Sequence, residues 1–280
     1  MQFYPLVSTE WLREHLKEVV ILDGSFYLPA MGKDPDTEFE NGHIPGAQRW
    51  NIDRIADTGS SLKHMMPAPA VIASAAGQRG IDRDTTVVVY DQLGMFSAAR
   101  VWLALKTIGH QNVALLDGGL PAWDGTIDTG KSKTVTSIDY GEFDAIVNTV
   151  DRHTVLDALN DASARVVDAR AADRFQGRAP EPQPGLLGGH MPGALNIPFG
   201  TLLDSQQKFK STDELRQIFR QHGLEAEHRV ITSCGSGVTA SIITFALMLL
   251  GVESMVYDGS WSEWGDPALQ LPVQGSSSDN

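Results

Sequence analysis

The chain repeats three short segments in the same order, and this repetition constrains its fold more than any other feature. The members of each pair lie roughly 140 to 150 positions apart, far more than the period of a solenoid repeat. Chance recurrence of Gly and Pro turns does not explain three ordered matches at nearly constant spacing. The pairs are residues 42–47 with 189–194, both reading G-H-[IM]-P-G-A, residues 86–91 with 229–234, and residues 116–119 with 257–260.

The repetition predicts two similar domains of ordinary size. Residues 1–130 form the predicted N-terminal domain and residues 150–270 the C-terminal one. We place a linker at 131–149, because the chain from about residue 125 is polar and without periodicity. Residues 271–280 are predicted to be a tail.

Within each half, short apolar runs alternate with amphipathic segments. Residues 19–23 and 165–168 read as strands that end in Asp. Ser211 and Glu214 form a capping box at the start of a helix, and Ser8 begins a similar helix. This alternation is typical of an α/β fold, so each domain is predicted to be a mostly parallel sheet flanked by helices. Ligands bind such sheets beyond the carboxyl ends of the strands.

Cys234 is the only cysteine of the chain, and it follows the strand-like residues 229–233 and precedes the helix-like residues 241–250. Free backbone N–H groups converge at such a turn and stabilise a negative charge on sulfur. Gly235 and Gly237 let the backbone curl closely around a ligand. A lone cysteine is usually a small buried residue, but this loop predicts a nucleophile.

The first half carries Asp91 at the position that matches Cys234. A carboxylate does not attack a sulfur centre as a thiolate does. We therefore predict that the N-terminal domain is chemically silent at this loop and that it covers the active face of the other domain.

Composition narrows the classes of partner. The formal net charge of −13 argues against nucleic acid and against an anionic membrane surface. A single cysteine excludes an internal disulfide, and no basic and apolar leader is visible, so we expect a soluble cytoplasmic protein. No pair of histidines has metal-ligand spacing, and we predict no metal site.

The chain resembles the sulfurtransferases with two tandem rhodanese domains, in which only the second domain carries the nucleophilic cysteine. The loop that starts at Cys234 is similar to that of the 3-mercaptopyruvate sulfurtransferases, because the thiosulfate-specific relatives carry basic residues where this chain has Gly235 and Ser236. The resemblance implies that Cys234 takes sulfur from 3-mercaptopyruvate as a persulfide and releases pyruvate. It implies transfer to a thiol, thioredoxin or cyanide, with no cofactor besides that covalent intermediate.

The resemblance also implies the roles of individual residues. A proton relay would consist of Ser236, His43 and Asp34, with Asp36 as the alternative carboxylate, and it would sit between the domains. His190, in the second copy of the motif, is interpreted as structural. The predicted substrate-binding residues are Arg174, Gln183, Gly235, Gly237, Val238 and Thr239. Gln183 stands where the family has a second arginine, so we expect weaker carboxylate binding or a broader range of donors, unless Arg178 compensates.

Three other functions share features with this sequence. A thiosulfate sulfurtransferase shares the persulfide step and differs in the donor. A cysteine phosphatase needs an arginine six residues after the cysteine, where this chain has Ala240. A binding or sulfur-carrier module is typical of rhodanese domains that have lost the cysteine, which this chain keeps.

Overall fold

The computed structural model describes residues 4–225 and 228–275 and divides the chain into two compact units. The first unit holds residues up to Gly59, Met66–Val147 and the short segment Ser205–Phe209. The second holds Ser60–Met65, Asn148–Asp204 and the residues from Lys210 onward. Each unit therefore includes one short segment from the other half of the sequence.

The first unit is built on a five-stranded parallel sheet with the strand order β1-β5-β4-β2-β3. Helices follow most of its strands, as a parallel connection requires. The strands are β1 Leu6–Val7, β2 Val20–Asp23, β3 Gln48–Arg49, β4 Val87–Tyr90 and β5 Val113–Leu116. The helices are α1 Thr9–His15, α2 Pro35–Asn41, α3 Pro69–Gly77, α4 Ala98–Thr107 and α5 Gly119–Ala122, with a 3₁₀ turn at Pro29–Met31.

The second unit repeats this topology, with the parallel order β6-β10-β9-β7-β8. The strands are β6 Thr149–Val150, β7 Arg165–Asp168, β8 Leu195–Asn196, β9 Val230–Ser233 and β10 Ser254–Tyr257. The helices are α6 Arg152–Asp161, α7 Ala172–Phe175, α8 Thr212–Gln221, α9 Ala240–Leu249 and α10 Ser260–Trp264, with 3₁₀ turns at Phe199–Leu202 and Pro267–Leu269. The predicted α/β class and the duplicated parallel sheets are confirmed.

Helix starts follow the polar side chains that the sequence offered as caps. The Ser8 hydroxyl accepts a hydrogen bond from the Trp11 amide at the start of α1. Ser211 and Glu214 form the predicted capping box of α8, in which each side chain binds the other residue's backbone N–H. Trp261 and Trp264 are fully buried in the core of the second unit.

The predicted linker is mostly without regular structure, whereas the described part of the predicted tail packs on the second unit. Residues 131–148 contain no helix or strand, and β6 begins at the last position of the predicted linker. Leu271 and Val273 pack against the core of the second unit, and Gln274 pairs with the His190 backbone in an antiparallel bridge. The part of the predicted tail from 271 to 275 is thus held by the fold, and residues 276–280 lie outside the described residues.

A buried histidine in the first unit makes stability depend on pH. His110 is 1% exposed, its Nδ1 lies 2.9 Å from the Tyr140 hydroxyl, and burial lowers its pKa to about 4. Between pH 6.5 and 4 the unfolded chain binds a proton that the folded unit does not. We therefore expect acidification over this range to lower the free energy of unfolding by up to about 3 kcal/mol through this group.

Urea unfolding at pH 7 and pH 4.5 measures this term, since His110→Gln should lose less stability on acidification than the unchanged protein. Equal losses in both proteins would show that His110 does not carry the pH dependence.

Candidate active site

Cys234 lies at the carboxyl edge of the second sheet, in the turn between β9 and α9. Strand β9 is fully buried and ends at Ser233, and the chain turns at Gly237, whose φ of 76° favours glycine. Helix α9 begins at Ala240. Cys234 is only 1% exposed. The turn therefore holds a shielded thiol at the edge where parallel sheets bind ligands.

The hydroxyl of Ser260 fixes the start and the middle of this loop. It accepts hydrogen bonds from the amides of Cys234, at 3.2 Å, and Gly237, at 3.1 Å, and donates to the Tyr257 carbonyl at 2.8 Å. Ser260 has a φ of 48°, which a non-glycine residue rarely adopts, and its counterpart in the first unit is Gly119. The strained serine thus occupies two of the loop amides, so Gly237 contributes a turn rather than a free donor.

The start of α10 holds the loop from its carbonyl side. The Trp261 amide donates to the Cys234 carbonyl at 2.9 Å. The amide and the hydroxyl of Ser262 both donate to the Gly235 carbonyl, at 2.8 and 2.7 Å. The loop is therefore anchored on α10 before any ligand binds.

The matching loop of the first unit carries an anion of its own. One carboxylate oxygen of Asp91 accepts from the Leu93 amide at 2.9 Å. The other accepts from the amides of Phe96, Ser97 and Ala98, at 2.8, 2.8 and 2.9 Å. Four backbone N–H groups, from the loop and from the start of α4, therefore surround one carboxylate.

Around Cys234, the amide of Ser241, which matches Ala98, donates to the Val238 carbonyl at 3.3 Å, whereas two other matching amides are open. Ser236 and Thr239 take the places of Leu93 and Phe96 in the repeat. Within residues 4–225 and 228–275, the backbone amides of Gly235, Ser236, Val238 and Thr239 make no hydrogen bond. The second unit thus has donors in the positions that bind a carboxylate in the first unit, next to a thiol.

Two arginines and two carboxylates form a network beside the loop. Arg170 binds Asp168 at 2.7 Å and Glu181 at 2.8 Å, and all three side chains are at most 2% exposed. Glu181 also binds Arg174, at 2.5 Å. The Arg170 guanidinium stacks over the Trp261 ring, 4.1 Å from its centroid. Because Trp261 also holds the Cys234 carbonyl, the network and the loop share a support.

Arg174 reaches the loop because Gly235 has no side chain. A Cβ placed at Gly235 would lie 3.0 Å from Nη2 of Arg174. The Arg174 side chain is 22% exposed, and its cation therefore stands at the rim of the loop rather than in the core. Arg174, Gly235 and Cys234 are thus brought together as the sequence analysis expected.

Gln183 is exposed on the loop that follows Arg174. It lines a cavity of about 280 Å³ together with Arg178 and Glu181. Arg178 forms an exposed ion pair with Asp173 at 2.5 Å. Arg178 therefore lines the same cavity as Gln183, but its guanidinium is paired with Asp173, which does not line that cavity.

His43 lies in the first unit and is described there alone. It is 3% exposed, its ring stacks on Phe39 with centroids 4.0 Å apart, and its Nδ1 lies 2.8 Å from the Phe39 carbonyl oxygen. Because a carbonyl only accepts, Nδ1 carries the proton and Nε2 of the neutral ring is an acceptor. His190 has the same geometry on Phe175, so this arrangement belongs to the repeated motif.

Both carboxylates considered for the relay have other partners. Asp34 caps α2 and accepts from the Thr37 amide and hydroxyl, and the Thr37 amide lowers its pKa. Asp36 pairs with Arg49 and Arg54. Among the described contacts neither carboxylate binds His43, and the Phe39 carbonyl orients the ring instead.

Comparison with known proteins places this site in a family. The model of the rhodanese-like domain matches residues 8–126 and again 151–266. This chain belongs to the tandem rhodanese-domain sulfurtransferases. Its relatives include the 3-mercaptopyruvate sulfurtransferase of Rattus norvegicus, which is 41% identical over 94% of this chain and 92% of that protein.

Two further members of the sulfurtransferase family cover the chain almost completely. Thiosulfate/3-mercaptopyruvate sulfurtransferase 2 of Arabidopsis thaliana is 36% identical over 98% of this chain and 87% of that protein. The crystal structure of SseA from Escherichia coli, described as a 3-mercaptopyruvate sulfotransferase with the rhodanese fold, has a TM-score of 0.79 and 38% identity. It covers 92% of this chain and 99% of that one.

Three contacts at the candidate site residues are absent from the sequence-based predictions. They are the Ser260 hydroxyl on the loop amides, the Phe39 carbonyl on His43, and the Glu181 carboxylate on Arg174. Glu181 lies in the run Pro180–Gln183, in which only Gln183 was predicted to bind the donor. The spacing of four between Phe39 and His43 was no helical signal, because α2 ends at Asn41 and His43 lies beyond it; the matching contact of His190 with Phe175 spans fifteen positions.

Proposed function

We propose that this sulfurtransferase moves sulfur from 3-mercaptopyruvate to a thiophilic acceptor through a persulfide on Cys234. One observation carries the proposal: the amides of Leu93 and Phe96 bind the Asp91 carboxylate in the first unit, and the matching amides of Ser236 and Thr239, beside Cys234, make no hydrogen bond among the described residues. A persulfide extends from Cβ by two heavy atoms, as a carboxylate does. Its terminal sulfur anion would therefore meet the open amides of Ser236 and Thr239.

The first half-reaction balances without a further reagent. The Cys234 thiolate forms an S–S bond to the sulfur of mercaptopyruvate, and the C–S bond breaks with its electron pair left on carbon. The enolate takes up the proton that the donor's thiol group gives up as the persulfide anion forms, and it leaves as pyruvate. The acceptor then attacks the outer sulfur, and the Cys234 thiolate is restored.

Binding of the donor would rest on Arg174 and on the loop backbone at Gly235, Val238 and Thr239. Arg174 offers a guanidinium to the donor carboxylate at the rim of the loop. Gln183 can add a hydrogen bond but no charge. Its exposure supports a minor role.

Proton transfer from the donor's thiol to the enolate is assigned to Ser236 and His43, with His43 taking up the proton and returning it. Ser236 is half-buried in the loop, and Nε2 is the acceptor atom of the neutral His43 ring. Asp34 is the carboxylate predicted to complete this relay; its described partners are the amide and the hydroxyl of Thr37, whereas the contact described for His43 Nδ1 is the Phe39 carbonyl.

Thiosulfate is the second candidate donor. The uncharged Gln183 favours it by removing one contact to the mercaptopyruvate carboxylate, and one relative bears both donors in its name. The absence of a basic side chain at Gly235 and Ser236 opposes it, because a dianion needs compensating charge.

The acceptor is proposed to be a small thiol, a thioredoxin-like dithiol or cyanide, in the cytoplasm. A lone reduced cysteine in the chain supports such a setting. No helix of the described residues has the length and apolar character to cross a bilayer.

A single-turnover experiment tests this function. Incubation with mercaptopyruvate and no acceptor should add about 32 Da, one sulfur, to the intact protein and release one equivalent of pyruvate. Addition of cyanide should remove that mass. Pyruvate release without a mass gain, or no reaction with mercaptopyruvate while thiosulfate adds sulfur, would contradict the assignment.

The glycine beside Arg174 gives a second test. In Gly235→Ala the new methyl group would lie 3.0 Å from Nη2, so Arg174 must move away from the loop. We expect kcat/KM for mercaptopyruvate to fall about tenfold, mostly through KM, with the free energy of unfolding changed by less than about 1 kcal/mol.

Gly200→Ala is the matched control for this variant, because a methyl group there meets no atom within 4 Å. It should leave the kinetic constants unchanged. An unaltered KM in Gly235→Ala would argue that Arg174 does not touch the donor.

A further inference from the structure

We propose that Glu181 is a positioning residue that sets which donor charge this site prefers, by holding Arg174 and offsetting its positive charge. This inference rests on the proposed function and deepens it. Glu181 bridges Arg174 and the buried Arg170, with its side chain 2% exposed. Within the described part of the chain, it is the carboxylate that pairs with Arg174.

The network carries no net charge. Arg170 and Arg174 contribute two positive charges, and Asp168 and Glu181 contribute two negative ones. Asp168 is committed to Arg170, which it binds through both carboxylate oxygens, at 3.1 and 2.9 Å from Nε. The charge of Arg170 is thus satisfied deep in the unit, and the cation offered to a donor is Arg174, already paired with Glu181.

Glu181 is itself rigidly held. Arg170 binds it at 2.8 Å, donates to the Gly189 carbonyl at 2.8 Å, and stacks on Trp261. A carboxylate fixed in this way keeps Arg174 extended toward Gly235, at a defined reach. Glu181 therefore has two separable effects on Arg174: the position of its guanidinium and the charge that a ligand senses.

The charge effect discriminates between the two candidate donors. Mercaptopyruvate has one carboxylate charge, whereas thiosulfate is a dianion. Next to an electrically neutral network, a dianion binds less favourably than a monoanion, because no positive charge is left to offset its second negative charge. Gln183 is exposed and uncharged, and it stands where the resemblance to the family leads us to expect an arginine. It therefore adds no positive charge to the network.

The test compares Glu181→Gln, which raises the network charge by one, with Glu181→Asp, which restores the charge on a shorter side chain. We expect Glu181→Gln to raise the ratio of kcat/KM for thiosulfate to that for mercaptopyruvate by about tenfold, and Glu181→Asp to return the ratio to that of the unchanged protein. Asp213→Asn removes an exposed carboxylate of the same unit and should leave the ratio unchanged.

A binding measurement separates this inference from the proposed function. Calorimetric titration of the Cys234→Ser variant, with and without Glu181→Gln, gives affinities for thiosulfate and for pyruvate when no sulfur is transferred. Glu181→Gln should favour thiosulfate over pyruvate by a similar factor. If the native protein forms no persulfide, the proposed function fails, and the calorimetric ratio still decides the role of Glu181.

The inference is overturned when Glu181→Gln lowers both donors equally, because Glu181 would then only support the fold. It is also overturned when Glu181→Asp keeps the altered ratio, since charge would not be the cause. Circular dichroism and unfolding curves of each variant show whether the second unit is intact. If the glutamine variant does not fold, Arg174→Gln lowers the network charge by one and should lower the ratio for thiosulfate, and an unchanged or raised ratio would overturn the inference.

Discussion

Cys234→Ser is expected to lose sulfur transfer from every donor, with kcat lowered on the order of 10⁴-fold or more. A serine hydroxyl at this position is neither ionised near neutral pH nor able to hold a second sulfur in a persulfide. The rate is measured as thiocyanate formed from cyanide. The intact mass after incubation with donor should show no gain, whereas the unchanged protein should gain about 32 Da.

The control for this variant is its stability. Cys234 is 1% exposed, and a hydroxyl in its place should cost no more than about 2 kcal/mol of unfolding free energy. Because the chain has one cysteine, a mass gain that survives in Cys234→Ser would place the sulfur on another residue and would refute the persulfide mechanism.

Asp91→Ala should destabilise the first unit by about 3 to 5 kcal/mol without touching the nucleophile. The substitution leaves the amides of Leu93, Phe96, Ser97 and Ala98 without their acceptor, and the last two lie at the start of the buried helix α4. Urea unfolding followed by tryptophan fluorescence measures the loss, with the two units fitted as separate transitions if they unfold apart.

Two variants bracket this result. Asp91→Asn keeps one oxygen acceptor and should lose less than Asp91→Ala. Cys234→Ala, at the matching position, should cost under about 3 kcal/mol, because the thiol does not satisfy its loop amides. Equal losses at the two positions would mean that the carboxylate is not what stabilises the loop of the first unit.

Much of the fold could be predicted because it is encoded locally. Strands β2 and β7 were found within one residue from their apolar runs, and α1 and α8 from their serine caps. The duplicated motifs gave the two units, since a repeated turn in a repeated order needs no long-range information. The position of Cys234 between β9 and α9 followed from the same local pattern.

The support of the site could not be predicted, because it depends on contacts distant in sequence. Ser260 binds amides more than twenty positions away. Nothing in the local sequence distinguishes it from the other serines of the chain. Glu181 and Arg174 are closer, but a carboxylate in a proline-rich loop gives no signal of being buried. Asp34 was expected to belong to the relay, but an aspartate directly before a helix is also a typical N-cap, and Asp34 caps α2.

The exchange of short segments between the units limits how this protein can be dissected. A cut in the linker would give a C-terminal fragment that contains Cys234 but not Ser60–Met65, and an N-terminal fragment without Ser205–Phe209. Within the first unit, the amide of Phe209 donates to the Asp117 carboxylate at 2.9 Å, beside the loop that carries Asp91. Fragments intended to isolate the nucleophile-bearing half would therefore each lack a native segment, and gene truncation is a poorer route to the role of each half than point substitution in the whole chain.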